Sequence, residues 1–92
     1  KPKLMATYQA EFTKVAEKEF FELDNLLQKR VAKKIAFFLD QPDPLIYAQK
    51  LQDFDGGDYR WRVGKYRIIF DLDEPRKLIK VLHIDHRRSA YR

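Results

Sequence analysis

The segment Tyr59–Arg92, YRWRVGKYRIIFDLDEPRKLIKVLHIDHRRSAYR, decides how this chain folds. In a strand, alternate residues face opposite sides, so Tyr59, Trp61 and Val63 point one way and Arg60 and Arg62 the other. Gly64-Lys65 then supplies the two-residue spacing of a tight hairpin, with glycine at the first central position. Beyond it Tyr66, Ile68 and Phe70 continue the apolar side, while Arg67, Ile69 and Asp71 fall opposite. Asp73-Glu74-Pro75-Arg76 makes the next reversal. The pattern predicts strands over 58–63, 66–72 and 78–84, joined as an antiparallel meander.

The preceding residues supply what those strands pack on. Thr7–Phe12 alternates as a short strand with Tyr8, Ala10 and Phe12 on one side. Thr13 reads as an N-cap for a helix over 14–23, with Val15, Ala16, Phe20 and Leu23 inward and Glu17 and Glu19 near the positive end of its dipole. Asp24 caps a second helix over 25–40, whose stripe is Leu27, Val31, Ile35, Phe38 and Leu39; Pro42 and Pro44 end it. The close junction at Asp24 implies an antiparallel helical hairpin. Residues 43–57 read as a connection ending in the flexible turn Asp55-Gly56-Gly57. The expected fold is α+β, in the order β-α-α-β-β-β. A helical hairpin packs on one face of a small, twisted, mainly antiparallel sheet whose other face is available. The first strand joins at an edge or beside the last strand.

Length and composition agree with one small domain. The 92 residues are 45% hydrophobic and 14% aromatic, enough for one core, while 36% charged residues and a mean hydropathy of −0.62 indicate a water-soluble chain. Residues 1–5 are expected to stand outside the fold as a flexible extension. With no cysteine there is no disulfide framework and no thiolate zinc site. No apolar run approaches the ~20 residues of a membrane span, and no hydrophobic signal core opens the chain, so a cytoplasmic protein is expected.

The net charge of +5 is unevenly placed. Residues 1–59 carry 9 Lys+Arg against 10 Asp+Glu, and residues 60–92 carry 10 against 4. A local positive field attracts phosphates or an acidic protein segment. If the aromatics of the two central strands pack against the helices, Arg60, Arg62 and Arg67 gather on the open face. His83 and Asp85 share a face of the last strand, and His86-Arg87-Arg88 leaves the sheet near the same place. Arginine suits phosphate because its planar fork donates paired hydrogen bonds and keeps its charge. Tyrosine and tryptophan can stack on bases. An RNA backbone fits this inventory, which offers cations and no convincing acidic metal cluster.

The combined pattern resembles the RelE branch of the RelE/ParE superfamily of toxin–antitoxin toxins. The match lies in WRVG-x-YR with a terminal HRR-x-x-YR, preceded by FTKVAEKEFFEL, QKRVAKKIAFFLDQPDP and KLQDFDGGDYRWRVGKYRIIF in the family's order. The resemblance covers roughly residues 8–92 and implies a ribosome-dependent messenger RNA endonuclease restrained by a cognate protein antitoxin. Operator DNA would be reached only through that antitoxin, and neither a membrane nor a cofactor is involved. The implied reaction needs no metal: the ribose 2′-hydroxyl attacks the adjacent phosphate, giving a 2′,3′-cyclic phosphate and a free 5′-hydroxyl.

By position, the resemblance assigns Arg67 to the scissile phosphate, Arg87 to the leaving 5′-oxygen and Tyr91 to stacking on the nucleotide. Arg60, Arg62, Arg88 and His83 are expected to bind RNA or phosphate. Arg60 and Arg62 stand where the best-studied member has lysines. Since arginine almost never gives up its proton, the proton acceptor must be sought elsewhere. Imidazole is suited to that work near neutrality; His86 is the first candidate and His83 the second. Two other readings remain: a ParE-like inhibitor of DNA gyrase that cleaves no RNA, and a non-catalytic relative that binds antitoxin or RNA.

Overall fold

The computed structural model describes residues 8–52 and 56–86; the expected N-terminal extension, residues 1–5, lies outside them. The elements are β1 (Gln9–Phe12), α1 (Lys14–Phe21), α2 (Asn25–Leu39), a 3-10 turn η1 (Pro44–Tyr47), β2 (Gln49–Lys50), β3 (Tyr59–Val63), β4 (Tyr66–Asp73) and β5 (Leu78–His86). They form one five-stranded sheet in the order β1-β5-β4-β3-β2. The expected α+β order is present, with η1 and the two-residue β2 added inside what the sequence presents as a connection. The first strand takes the place beside the last, and it runs parallel to β5. All other pairings are antiparallel.

Both expected caps form. Thr13 Oγ1 accepts from the Ala16 amide at 3.1 Å, and Asp24 Oδ1 accepts from the Leu27 amide at 2.9 Å. Each satisfies an amide that the first helical turn leaves open, worth about 1 kcal/mol. Thr13 also ends the β1–β5 ladder, donating its amide to the Val81 carbonyl at 3.0 Å and its hydroxyl to the Leu82 carbonyl at 3.2 Å. The helices are joined by Gln28, whose Nε2 donates to the Leu23 carbonyl at 2.8 Å at the C-terminal end of α1.

The core lies between the sheet and the helices. Ala16, Val31, Ile35 and Phe38 meet Trp61, Val63, Ile68, Phe70, Ile79, Val81 and Ile84. Trp61 is its centre, stacked on Phe38 at 4.7 Å and set against Phe70 at 4.1 Å between ring centroids. Its Nε1 donates to the Pro44 carbonyl at 3.0 Å. That bond satisfies the one polar atom of a fully buried indole and pins η1 beneath the sheet. One inward assignment fails. Val15 is 51% exposed, because the short α1 turns only Ala16 and Phe20 toward the core, with Leu23 following just beyond its end.

Two features position the outer face. In β5 the register shifts between Ile69 and Phe70: Ile69 pairs with His83 and Phe70 with Val81, leaving Leu82 as the extra residue of a bulge. Beyond β1 the edge of β5 has no partner strand among the described residues, and Glu19 of α1 covers it, its Oε1 accepting from the Ile84 amide at 2.8 Å. At the far end of the sheet the Tyr8 hydroxyl donates to Glu74 Oε2 at 2.8 Å. That bond, with burial, holds the phenol above its ordinary value. No helix among the described residues is long and apolar enough to cross a membrane.

Candidate functional site

Alternation along β3 and β4 places Arg60, Arg62 and Arg67 on the side of the sheet away from the helices. The ladder sets them in two rows. In the first, Arg62 pairs with Arg67 and Arg67 with Asp85; in the second, Arg60 pairs with Ile69 and Ile69 with His83. Directly opposed side chains share a face, so the first row is two cations and a carboxylate side by side.

Arg67 is held from one edge. Its Nε donates to Asp85 Oδ1 at 3.2 Å and its Nη2 to Asp85 Oδ2 at 3.4 Å, a side-on bidentate pair. Its side chain is 15% exposed and that of Asp85 28%, so the pair is screened less than a surface bridge. Arg62 is exposed, and among the described residues it has no ion-pair partner. Arg60 bonds Gln49 Oε1 from the neighbouring β2.

The second row is less open than the sequence suggests. Ile69 is 1% exposed although it faces away from the main core. Gly57 covers it: a Cβ there would stand 2.6 Å from Ile69 Cγ2 and 3.0 Å from Leu82 Cδ1. The covering segment is tied down by the Asp58 amide, which donates to Asp71 Oδ1 at 2.9 Å. Gly56, at φ +92, lies over His83, with 3.4 Å between a hypothetical Cβ and His83 Cδ2. Glycine is needed twice here, once for a left-handed backbone and once for close approach. The available face is therefore narrowed by this segment, with the arginine row beside it.

The two histidines separate. His83 lies on the arginine side, half-exposed, with Nδ1 3.6 Å from Glu19 Oε1. His86 pairs with Tyr66 in the ladder and sets its ring edge-on to the Tyr66 ring at 5.0 Å, on the opposite face from Arg67. Arg87, Arg88 and Tyr91 lie outside the described residues. Sequence reasoning missed Asp85 as the partner of Arg67 and Glu19 as a neighbour of His83. Glu19 left no usable signal, because it meets His83 across 64 residues of chain through tertiary packing alone. Among the described residues no three His, Asp or Glu side chains cluster as a metal site.

A family model described as ParE toxin of type II toxin–antitoxin system, parDE, matches residues 10–91. The curated Toxin RelG of Mycobacterium tuberculosis is 27% identical over 85 residues, which is 92% of this chain and 97% of that protein. Among solved structures, the toxin–antitoxin complex RelBE2 of Mycobacterium tuberculosis aligns with a TM-score of 0.72 at 25% identity, over 90% of this chain and 94% of that one. The archaeal RelE–RelB complex of Pyrococcus horikoshii OT3 aligns with a TM-score of 0.70 at 27% identity, over 89% of this chain and 97% of that one.

Proposed function

The chain belongs to the ParE toxin family of type II toxin–antitoxin systems and has a RelE-like fold, and from that premise we propose that it is a ribosome-dependent messenger RNA endonuclease. The observation that carries the reading is Arg62 directly opposite Arg67 on the face away from the core. Like charges opposed across a ladder cost stability, so folding alone gives no reason to place them there. A phosphate between them offsets that repulsion.

In the proposed reaction the 2′-oxygen attacks the adjacent phosphorus, the bond to the 5′-oxygen breaks, and charge accumulates on the phosphoryl oxygens. Arg67, oriented by its ladder partner, donates to those oxygens, and Arg62 and Arg60 hold the flanking backbone. The attacking hydroxyl belongs to the substrate, so no water has to be activated. His83 shares the arginine face and takes first place as proton acceptor. His86, on the Tyr66 side, orients the segment that carries Arg87. Arg87 protonates or stabilises the leaving 5′-oxygen, Tyr91 stacks on the nucleotide, and Arg88 adds to phosphate binding.

The partner is a small acidic antitoxin, by analogy with the RelB chains of the similar complexes, and it carries any operator DNA contact. A ribosomal target places the protein in the cytoplasm. The test incubates purified protein with programmed ribosomes and labelled message in EDTA. Arg67→Ala is expected to lower cleavage by about 10²–10³-fold, the usual cost of losing one donor to a developing oxyanion. His83→Gln is expected to slow single-turnover cleavage more than His86→Gln. Wild-type protein that leaves the message intact sinks the reading.

The description of the matching family model favours a second reading, a ParE-like toxin acting on DNA gyrase through protein contacts. One fold can serve both targets, so the fold cannot choose between them. A supercoiling assay separates them: inhibition by wild type and by Arg67→Ala alike supports the gyrase target.

A further inference from the structure

Among the described residues Asp85 is the one carboxylate paired with an arginine of the first row, and its geometry is informative. It takes the Nε–H of Arg67 and one N–H of Nη2, which together form the side-on edge of the guanidinium. Both N–H bonds of Nη1 and the second of Nη2 stay clear of it. One N–H of Nη1 and the second of Nη2 make the end-on edge, the other pair of parallel donors that matches two phosphate oxygens. A carboxylate seated end-on would have occupied the donors a phosphate needs. Seated side-on, it fixes the plane and direction of the fork and leaves those donors free.

We propose that Asp85 is a positioning residue for RNA cleavage, holding the Arg67 guanidinium side-on so that its end-on edge meets the scissile phosphate. The inference rests on the RNA-cleavage reading. It assigns the carboxylate a role opposite to simple charge balance. A counterion that only neutralised Arg67 would have to leave when phosphate arrives, whereas a positioning residue stays. The low exposure of both side chains favours staying, because a displaced carboxylate would have to find new hydrogen-bond partners in a mostly covered place. The opposed Arg62 adds a second cation to the row without touching Asp85 through the ladder.

The test has two arms on the full chain. In the first, ribosome-programmed cleavage is measured at saturating and subsaturating ribosome. Asp85→Ala is expected to lower the single-turnover rate at saturation on the order of tenfold to a hundredfold, as misplacement of a catalytic group does, while half-saturation is unchanged or falls. Asp85→Asn keeps an oxygen for the Nε–H and is expected to recover part of the rate. In the second arm, nitrogen-15 NMR follows the Arg67 Nε–H as a short RNA with a 2′-deoxy substitution at the cleavage position is added. The expected result is a protected Nε–H that stays protected in the wild type when RNA binds and is lost in Asp85→Ala.

An Asp85→Ala rate equal to wild type overturns the proposal, and so does loss of Nε–H protection in the wild type on RNA binding, which makes Asp85 a competitor of phosphate. A wild type that cleaves nothing while its Nε–H stays protected counts against the RNA-cleavage reading and supports the side-on placement.

Discussion

Trp61 and Arg62 are neighbours on one strand, and the sheet treats them by opposite rules. Trp61 enters a face where no charged side chain among the described residues is buried, and where its only polar atom is satisfied by a backbone carbonyl. Arg62 enters a face assembled from charge pairs and backbone cover: Arg67 with Asp85, the Asp58 amide with Asp71, Gly57 against Ile69. The inner face draws its stability from area removed from water and tolerates little change in volume. The outer face contributes little of that area. What it holds is direction, and it is sensitive to changes that leave the fold intact.

The largest effect should come from Trp61→Ala, which empties the space between Phe38 and Phe70 and leaves the Pro44 carbonyl without its donor. About 3–5 kcal/mol of stability should be lost, read from urea unfolding. A loss below about 1 kcal/mol would remove Trp61 from the centre of the core.

Gly57→Ala sharpens the contrast by adding volume to the other side. Its Cβ would meet Ile69 Cγ2 at 2.6 Å, so the segment or the isoleucine must shift. About 1–3 kcal/mol should be lost, the ordinary cost of overpacking, and exchange of the Asp58 amide should accelerate. An unchanged exchange rate would mean that the segment does not rest on the sheet.

Glu19→Ala removes the acceptor of the Ile84 amide at the open edge of β5. A cost of about 1–2 kcal/mol is expected, because hydrogen bonds to charged groups are the stronger kind. Faster exchange confined to Ile84 and its neighbours is the diagnostic result.

The smallest effect belongs to Asp73→Asn. Asp73 is partly exposed, and its hydrogen bond from Arg76 holds the carboxyl below the ordinary carboxylate range. Its contribution is therefore present above the unfolded value and is lost as pH falls through the lower folded value. The urea midpoints of wild type and variant should differ slightly at neutral pH and converge in acid. A gap that widens in acid would reverse the sign.

Much of the inner face is legible in the order of residues. Two caps, a stripe at helical spacing and three alternating strands are local signals, each set by neighbouring residues and a fixed period. Boundaries differ by a residue or two because frayed ends depend on packing. The outer face is only half legible. Alternation places Arg60, Arg62 and Arg67 but not their partners, since cross-strand register beyond the first hairpin depends on how the second turn and the bulge are accommodated. Gly56-Gly57 reads as a flexible turn, and nothing local says that such a turn lies down on Ile69.

The amino-acid sequence by itself determined the main elements, the apolar side of α2, β3 and β4 and the arginines opposite it on β3 and β4, because period-2 and helical spacing are short-range properties of the backbone. Tertiary structure alone decided which charges meet. The bulge at Leu82 is the clearest instance. In a regular strand His83 and Asp85 would share the parity of Ile79 and Val81 and point into the core. One extra residue moves both to the arginine side and sends His86 to the other. That shift is a packing decision, since it lets Ile84 follow Val81 and Ile79 into the core and leaves Asp85 beside Arg67.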